Sequence, residues 1–344
     1  MKKKLALALA AVMVMSLALA GCGGEKKPAA SSTPAPSGSS AATSEPAGLG
    51  PKDGGTNLTF TTGGETGTYY GFGNVIANKV GDLTSTSVKA ITSGGSAANI
   101  QALEDGDAQL GFVQSDVMVY AYNGERTFAE TGASTGFSTV ANLYMEQVQI
   151  VTMNPDIKTV EDLRGKSVSI GALGSGVYFN AVDVLGCYDM TIDDIAPVYQ
   201  SFGDSADSLK DGKIDAAFIV AGAPTTAITD LSTSGQVYLV SIDDEHVDKL
   251  IAASPYYSKY TVSADTYGMP EDAQTVAVAA MVLARNDVSE DAIYTFVSTI
   301  FDNADQLQHG KAAELSLEFA SSISSVPYHP GAARYFAEKG FDVA

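Results

Sequence analysis

The chain has 344 residues with 40 acidic and 20 basic side chains, a net charge of −20, two cysteines and no tryptophan. Such acidity argues against nucleic acid or an anionic membrane surface as a partner. Of the two cysteines, Cys22 falls in the amino-terminal export signal and Cys187 is then left without a partner, so disulfides are not expected.

The first 21 residues read as a secretory signal peptide. Lys2, Lys3 and Lys4 precede an uncharged apolar run to Ala20, which falls short of the roughly 20 residues of a membrane span. Leu19-Ala20-Gly21-Cys22 resembles a bacterial lipobox, which implies cleavage before Cys22 and a lipid on that cysteine. Residues 22–55 are rich in Ser, Pro, Ala, Gly and Thr. They cannot bury a core, and as a flexible tether they would reach on the order of 30 Å. The folded part then begins near Thr56, with roughly 290 residues, enough for two lobes with a core each.

From Thr56 the pattern repeats strand, glycine-rich loop and helix. Strands are predicted near 58–62, 87–92, 108–113, 148–153, 167–171, 196–199, 214–220, 237–242 and 275–284. Helices are predicted from near Thr68, Ser96, Asp116, Gly176, Ser205, Thr225, Asp243 and Ser289. This alternation argues for an α/β fold with mostly parallel sheets. "LEDGDAQLGFV", from Leu103, aligns without gaps on "LKDGKIDAAFI", from Leu209. Each is a helix end, an Asp-Gly turn and an apolar strand, so the echo suggests two similar lobes. Cys187, on a predicted helix, reads as a small buried apolar residue.

In an open α/β sheet, ligands gather at the carboxyl ends of strands, where helix starts present unpaired backbone N–H groups. Gly63-Gly64, Gly94-Gly95 and Gly174-Ser175-Gly176 all fall at such places. Glycine lets the backbone approach a ligand closely, and each following helix adds partial positive charge, so the set suits a carboxylate.

Catalytic patterns fit poorly. Gly165-Lys166-Ser167 ends like a P-loop, but Val160 stands where the first glycine belongs and the triplet precedes a strand. Gly71-Phe72-Gly73 lacks the third glycine of a dinucleotide fingerprint. Ser175 sits in Gly-Ser-Gly, which is not a nucleophile elbow. His246, His309 and His329 are spaced as no zinc motif is. No enzyme, cofactor or metal is expected.

Five stretches, "TTGGETGTYYGFGNVIANKV", "TSGGSAANIQALEDGDAQLGFVQSDVMVYAYNG", "DLRGKSVSIGALGSGVYFNAVDVL", "LKDGKIDAAFIVAGAPTTAITDL" and "YHPGAARYFAEKG", occur in order. Together they resemble the TAXI family, the solute-binding receptors of one class of tripartite ATP-independent periplasmic (TRAP) transporters. The resemblance implies a two-lobed, type II-like periplasmic-binding-protein fold with the ligand cleft between the lobes. It implies hinge closure on a small carboxylate, glutamate or glutamine among the associated solutes, and delivery to a TRAP membrane subunit. It places the protein outside the cell membrane or in a periplasm, held to the membrane through the lipid anchor only.

Carried over residue by residue, the resemblance implicates Gly64, Thr68, Tyr69, Ser96, Asn99, Gln114, Ser115 and Asp116 from the first lobe. From the second it implicates Gly174, Ser175, Gly176, Asn180, Ala223 and Pro224. Val177 stands where the family usually has threonine, which removes a hydroxyl donor; Gln109 replaces an acidic residue in a place expected to be structural. The donor inventory then suggests backbone N–H groups near Gly64, Ser96 and Ser175, with the two serine hydroxyls, for the carboxylate, and Tyr69 for the aliphatic part. Asp116 would take an α-ammonium or, alternatively, cap the helix after Ser115. Tyr256 and Tyr257 read mainly as core residues. None of Arg126, Arg164, Arg285 and Arg334 stands in a cleft loop of this reading. Residues 56–147 and 251–344 would form the first lobe and 148–250 the second. A ligand-presenting receptor for a sensor kinase or an ATP-driven importer is the competing job on the same fold.

Overall fold

The computed structural model describes residues 55–343. The expected signal peptide, Cys22 and nearly all of the tether lie outside them. In chain order the strands are β1 (Asn57–Thr61), β2 (Ser87–Ile91), β3 (Leu110–Gln114), β4 (Phe137–Thr152), β5 (Ser167–Ser169), β6 (Ala196–Val198), β7 (Ala216–Ala221), β8 (Tyr238–Leu239), β9 (Ser258–Val262) and β10 (Ala273–Arg285). The α-helices are α1 (Thr68–Leu83), α2 (Ser96–Glu104), α3 (Ser115–Asn123), α4 (Val177–Cys187), α5 (Phe202–Lys210), α6 (Thr226–Ser232), α7 (Asp244–Ala253), α8 (Glu290–Asp302), α9 (Leu317–Ala320) and α10 (Pro330–Glu338).

The strands make one sheet in the order β2-β1-β3-β10-β4-β7-β5-β6, with β8 on β4 and β9 on β10. Strands β1, β2 and β3 run parallel, as do β5, β6 and β7. Between the two triplets, β10 is antiparallel to β3 and β4, and β4 is antiparallel to β7. The expectation of mostly parallel sheets is therefore corrected: the outer thirds are parallel and the centre is antiparallel. The two long strands β4 and β10 cause this, because each contributes hydrogen bonds to both ends of the molecule.

Strand β4 is also far longer than the segment 148–153 expected from the sequence. Its apolar run is interrupted by Asn142, Glu146, Gln147 and Gln149, which break the alternation that marks a half-buried strand. All four are buried here, and each has a partner. Asn142 Nδ2 donates to the Phe319 carbonyl. Gln147 Oε1 accepts from Ala223 N, and Gln149 Nε2 donates to the Ala221 carbonyl. Strand β9 and helix α10 are further elements with no counterpart among the expected ones, and α5 starts at Phe202 rather than Ser205.

Two sets of apolar side chains pack on the two ends of the sheet. Phe60, Phe72, Phe112, Tyr144, Phe296 and Phe336 belong to one; Val168, Val184, Leu185, Phe218 and Ile242 belong to the other. Each fully buried side chain of this size contributes about 2–3 kcal/mol. Strands β4 and β10 supply residues to both. Val262, Tyr267, Met269 and Ala273 pack with Ile219 and Ile228, so the segment after α7 stays with the second end until well past residue 251.

The echo between Leu103 and Leu209 has a structural counterpart. Helix α2 ends at an Asp105-Gly106 turn before β3, and α5 ends at an Asp211-Gly212 turn before β7. Gly106 and Gly212 both have positive φ, the backbone that ends a helix at little cost only when the residue is glycine. Strands β3 and β7 hold the same place in their triplets, beside β1 and β5.

Candidate functional site

Four helices begin around one cavity. Gly67, Thr68 and Tyr69 come from the start of α1, Gly95 and Ser96 from α2, Gly176 and Val177 from α4, and Ser201 and Phe202 from α5. Gly63, Gly64, Ser93, Gly94, Gln114, Ala172 and Ser175 line it as well, with Glu146, Val220 and Ala221 from the central strands. The N-caps of α1, α2 and α4 are glycines with no side-chain cap, and none of these helices has an acidic residue in its first turn. Their first N–H groups and dipole ends are left for something negative. Ser175 Oγ is buried in the wall with no hydrogen-bond partner among the described residues, an expensive condition unless a solute or water fills it.

The cavity is closed by loops in direct contact. Ala98 N donates to the Gly174 carbonyl at 2.9 Å, tying the β2–α2 loop to the β5–α4 loop. A Cβ on Gly94 would lie 2.7 Å from the Leu173 carbonyl, and one on Gly95, at φ +109°, 3.2 Å from Ser175 Cα. A Cβ on Gly176 would run into Gln114 Oε1 and come 3.0 Å from Ser96 Oγ. Glycine is thus required by close approach at these positions. Across the far side, Thr68 Oγ1 donates to the Gly222 carbonyl at 2.9 Å and Ala227 N to the Thr66 carbonyl at 3.2 Å.

Of the residues implicated by sequence, Gly64, Thr68, Tyr69, Ser96, Gln114, Ser175 and Gly176 are brought together on the cavity wall. The others lie elsewhere. Asn99 braces two strands, β1 and β3: it accepts from Thr61 Oγ1 and donates to the Thr62 and Phe112 carbonyls. Ser115 Oγ accepts from Ala279 N, fixing the start of α3 to β10. Gly174 is exposed on the outer side of the loop contact, and Ala223 and exposed Pro224 follow Gly222, with Ala223 N held by Gln147.

Asp116 and Asn180 belong to a polar chain behind Gln114. Gln114 Nε2 donates to Asn180 Oδ1 at 2.6 Å; Asn180 Nδ2 donates to Asp116 Oδ2 at 2.9 Å and to the Tyr257 hydroxyl at 2.8 Å. Tyr257 in turn donates to Asp183, which pairs with Arg126 at 2.7 Å. Asp116 is 0% exposed, and burial raises its pKa to about 7. The ammonium role expected of Asp116 is corrected accordingly, because Gln114 and Asn180 stand between it and the cavity. Its capping alternative is not met by its position either, since the N-cap of α3 is Gln114 and Asp116 sits in the first turn.

The acidic group on the wall is one that sequence reasoning missed. Glu146, 2% exposed, accepts a 2.8 Å bond from the Tyr69 hydroxyl, while the Tyr69 ring stacks on Phe112 at 4.6 Å. Burial raises the Glu146 pKa to about 8, and burial with the Glu146 charge holds the Tyr69 hydroxyl well above its usual range. Nothing beside Glu146 in the sequence marks it, for it lies mid-strand and far from any glycine loop. Its one signal is a carboxyl in an otherwise apolar stretch.

Other expectations fare variously. Gln109 Oε1 accepts from Thr59 N, a structural role. Tyr257 is buried, as expected of a core residue, and also joins the polar chain. Cys187 is only half-buried, against the expectation of full burial. The four arginines pair with carboxylates away from the cavity.

The lining holds no histidine, lysine, arginine or cysteine, and its one carboxyl, Glu146, is engaged by the Tyr69 hydroxyl. The geometry can bind and enclose.

The model of the NMT1-like family matches residues 60–340. Among solved structures, the alkanesulfonate-binding protein SsuA from Xanthomonas axonopodis pv. citri bound to MOPS is similar at 14% identity, over 82% of this chain and 83% of that one, with a TM-score of 0.47. The GluR0 ligand-binding core from Nostoc punctiforme in complex with L-glutamate is similar at 15% identity, over 76% and 98%, with a TM-score of 0.42. An ancestral arginine-binding protein bound to arginine is similar at 14% identity, over 76% and 97%, with a TM-score of 0.45.

Proposed function

The chain belongs to the NMT1-like family, and we propose that it is an extracytoplasmic solute receptor that closes on a small carboxylate. Its α/β fold, with two parallel triplets joined by an antiparallel crossing pair, is of the type II-like periplasmic-binding-protein kind. The observation that carries the reading is the convergence of three uncapped helix starts and the unpartnered Ser175 hydroxyl on one enclosed cavity. Such a set favours an anion through N–H donors and helix dipoles without needing an arginine.

Each end of the sheet acts as a lobe, and β4 and β10 form the hinge. In this reading the return crossing falls near Ala279 and not at residue 251, a placement supported by the packing of Val262, Tyr267 and Met269 with Ile219 and Ile228. Solute would enter with the loops apart and be enclosed when the Ala98–Gly174 and Thr68–Gly222 bonds form, the closed state gaining what the solute's contacts contribute. No bond is made or broken in the solute. The resemblance of the glycine-loop motifs to TAXI receptors extends the reading to glutamate or glutamine as solute, a TRAP membrane subunit as recipient and a lipid on Cys22 as anchor.

The test is thermal unfolding of the full chain with L-glutamate, L-glutamine, 2-oxoglutarate, succinate and unrelated sugars, followed with an external dye because there is no tryptophan. Solute at a thousand times its dissociation constant adds about 4 kcal/mol. A rise in melting temperature with carboxylates and none with sugars is expected; no rise with any carboxylate overturns the reading.

A further inference from the structure

The cavity has two kinds of wall. The glycine loops and helix starts offer donors to a negative group, and Ser175 Oγ, 8% exposed by residue, waits unpartnered among them. Against this stands a single carboxyl, Glu146, in a lining without any basic side chain. An anion-seeking wall and one buried acid in the same enclosure fit a solute that carries both charges. We infer that Glu146 receives the ammonium group of the bound solute, so that the receptor takes zwitterionic α-amino acids in preference to carboxylates lacking an amine. This rests on the receptor reading above.

Glu146 is placed for the task by its neighbours. Tyr69, at the start of α1, donates to Oε2 and fixes the carboxyl plane, while the ring of Tyr69 is itself held against Phe112. The titratable and charged groups around Glu146 are Tyr69 on α1, Tyr144 on its own strand, Asp116 on α3, and Lys311 on the turn at 310–314. Lys311 draws Glu146 down, but it is engaged by Glu314 at 2.6 Å. Glu314 also accepts from Met145 N, next to Glu146 in the strand. Among the described residues, Glu146 therefore has no ion-pair partner of its own.

A buried carboxyl with a pKa of about 8 is mostly protonated at pH 7. An ammonium placed beside it favours the charged form, so the proton leaves as the solute arrives. The proton goes to buffer, and the bound site becomes one unit more negative, a charge that the helix starts around the cavity favour. Binding of an amino acid should then release close to one proton per molecule at pH 7, and tighten roughly tenfold per pH unit below the pKa, levelling above it. A carboxylate without an amine should release none.

The experiment is titration calorimetry of the full chain with L-glutamine and 2-oxoglutarate, in phosphate and in Tris at pH 7, and again from pH 6 to 9. Proton release with L-glutamine alone is the expected result. Glu146→Gln keeps the shape and an acceptor for Tyr69; it should bind L-glutamine about 100-fold more weakly and without pH dependence. The proton count on the unaltered protein needs no variant, so a poorly folded E146Q does not decide the matter. Amino-acid binding with no proton release, or with undiminished affinity in a folded E146Q, overturns the assignment while leaving the receptor standing. Tighter binding of 2-oxoglutarate than of L-glutamine also overturns it. Failure of every carboxylate to bind ends the receptor reading and the assignment together.

Discussion

The cavity and the polar chain behind Gln114 are adjoining buried regions built from the same residue types, yet they differ in what is left over. In the cavity, three of the four helix starts lack side-chain caps, α5 being capped by Ser201, and a serine hydroxyl lacks a partner. In the chain running from Gln114 through Asn180 and Tyr257 to Asp183 and Arg126, each link is a bond of 2.6–2.9 Å, and the one atom without a partner is Asp116 Oδ1. The cavity thus keeps donors on offer along its wall, whereas the chain is joined end to end by bonds already made. Asp116 and Glu146 show the distinction within one residue class: both are buried carboxyls, but only Glu146 faces the enclosed space.

The strongest way to break the separation is to force the two regions into one another. In Gly176→Ala the backbone φ of −72° accepts alanine, but the new methyl meets Gln114 Oε1, which Asn180 holds. The loop must stand off or the chain must open. A loss of about 2–3 kcal/mol, or 30- to 100-fold in solute affinity by calorimetry, is expected with little change in secondary structure by circular dichroism.

Stability against pH separates the regions by their acids. The folded-state pKa is raised from 3.8 to about 7 for Asp116 and from 4.5 to about 8 for Glu146. The folded protein therefore binds more protons than the unfolded chain between those limits. The contribution of each group is fully present below its unfolded pKa and is lost as pH rises through the folded one. Unfolding free energy should fall by a few kcal/mol, about 2–4 for each group, between pH 5 and pH 8 in urea titrations. Asp116→Asn should flatten the part of this slope that ends near pH 7 and leave the part that ends near pH 8.

The smallest effect is expected on the far side of the cavity. Thr68→Val removes the hydroxyl that donates to the Gly222 carbonyl while keeping the shape of the side chain. Affinity should weaken by about 1 kcal/mol, roughly fivefold. A larger loss would show that this bond, more than the Ala98–Gly174 contact, holds the closed form.

The parts of the site that could be read from sequence are those with local marks. Glycine pairs after apolar strands gave away the three loops; close approach restricts Gly94, Gly95 and Gly176 to glycine, while Gly63 and Gly64 have room for a side chain. The Asp-Gly turns before β3 and β7 gave away the repeated half, because positive φ favours glycine there. Strand β4 stayed hidden, since Glu146, Gln147 and Gln149 find their partners on segments remote in sequence and no local pattern announces that a polar side chain will be satisfied at such a distance. Asp116 misled in the opposite sense. Its place at the head of a helix beside Gln114 and Ser115 looked like a ligand-facing corner, but a helix start presents only some of its side chains to the loop, and those of Gln114 and Asn180 took the intervening space.

The pairing of β3 with β10 sets residue 111 against residue 283. The β2-β1-β3 triplet, complete by residue 114, therefore waits with an open, apolar edge until the last third of the chain is available. A chain that emerges amino-terminus first can pair β4 with β7 early but lacks the β10 link between the two triplets until residues 273–285 are available. Joining of the two halves is therefore the last and longest-range step in assembling the sheet.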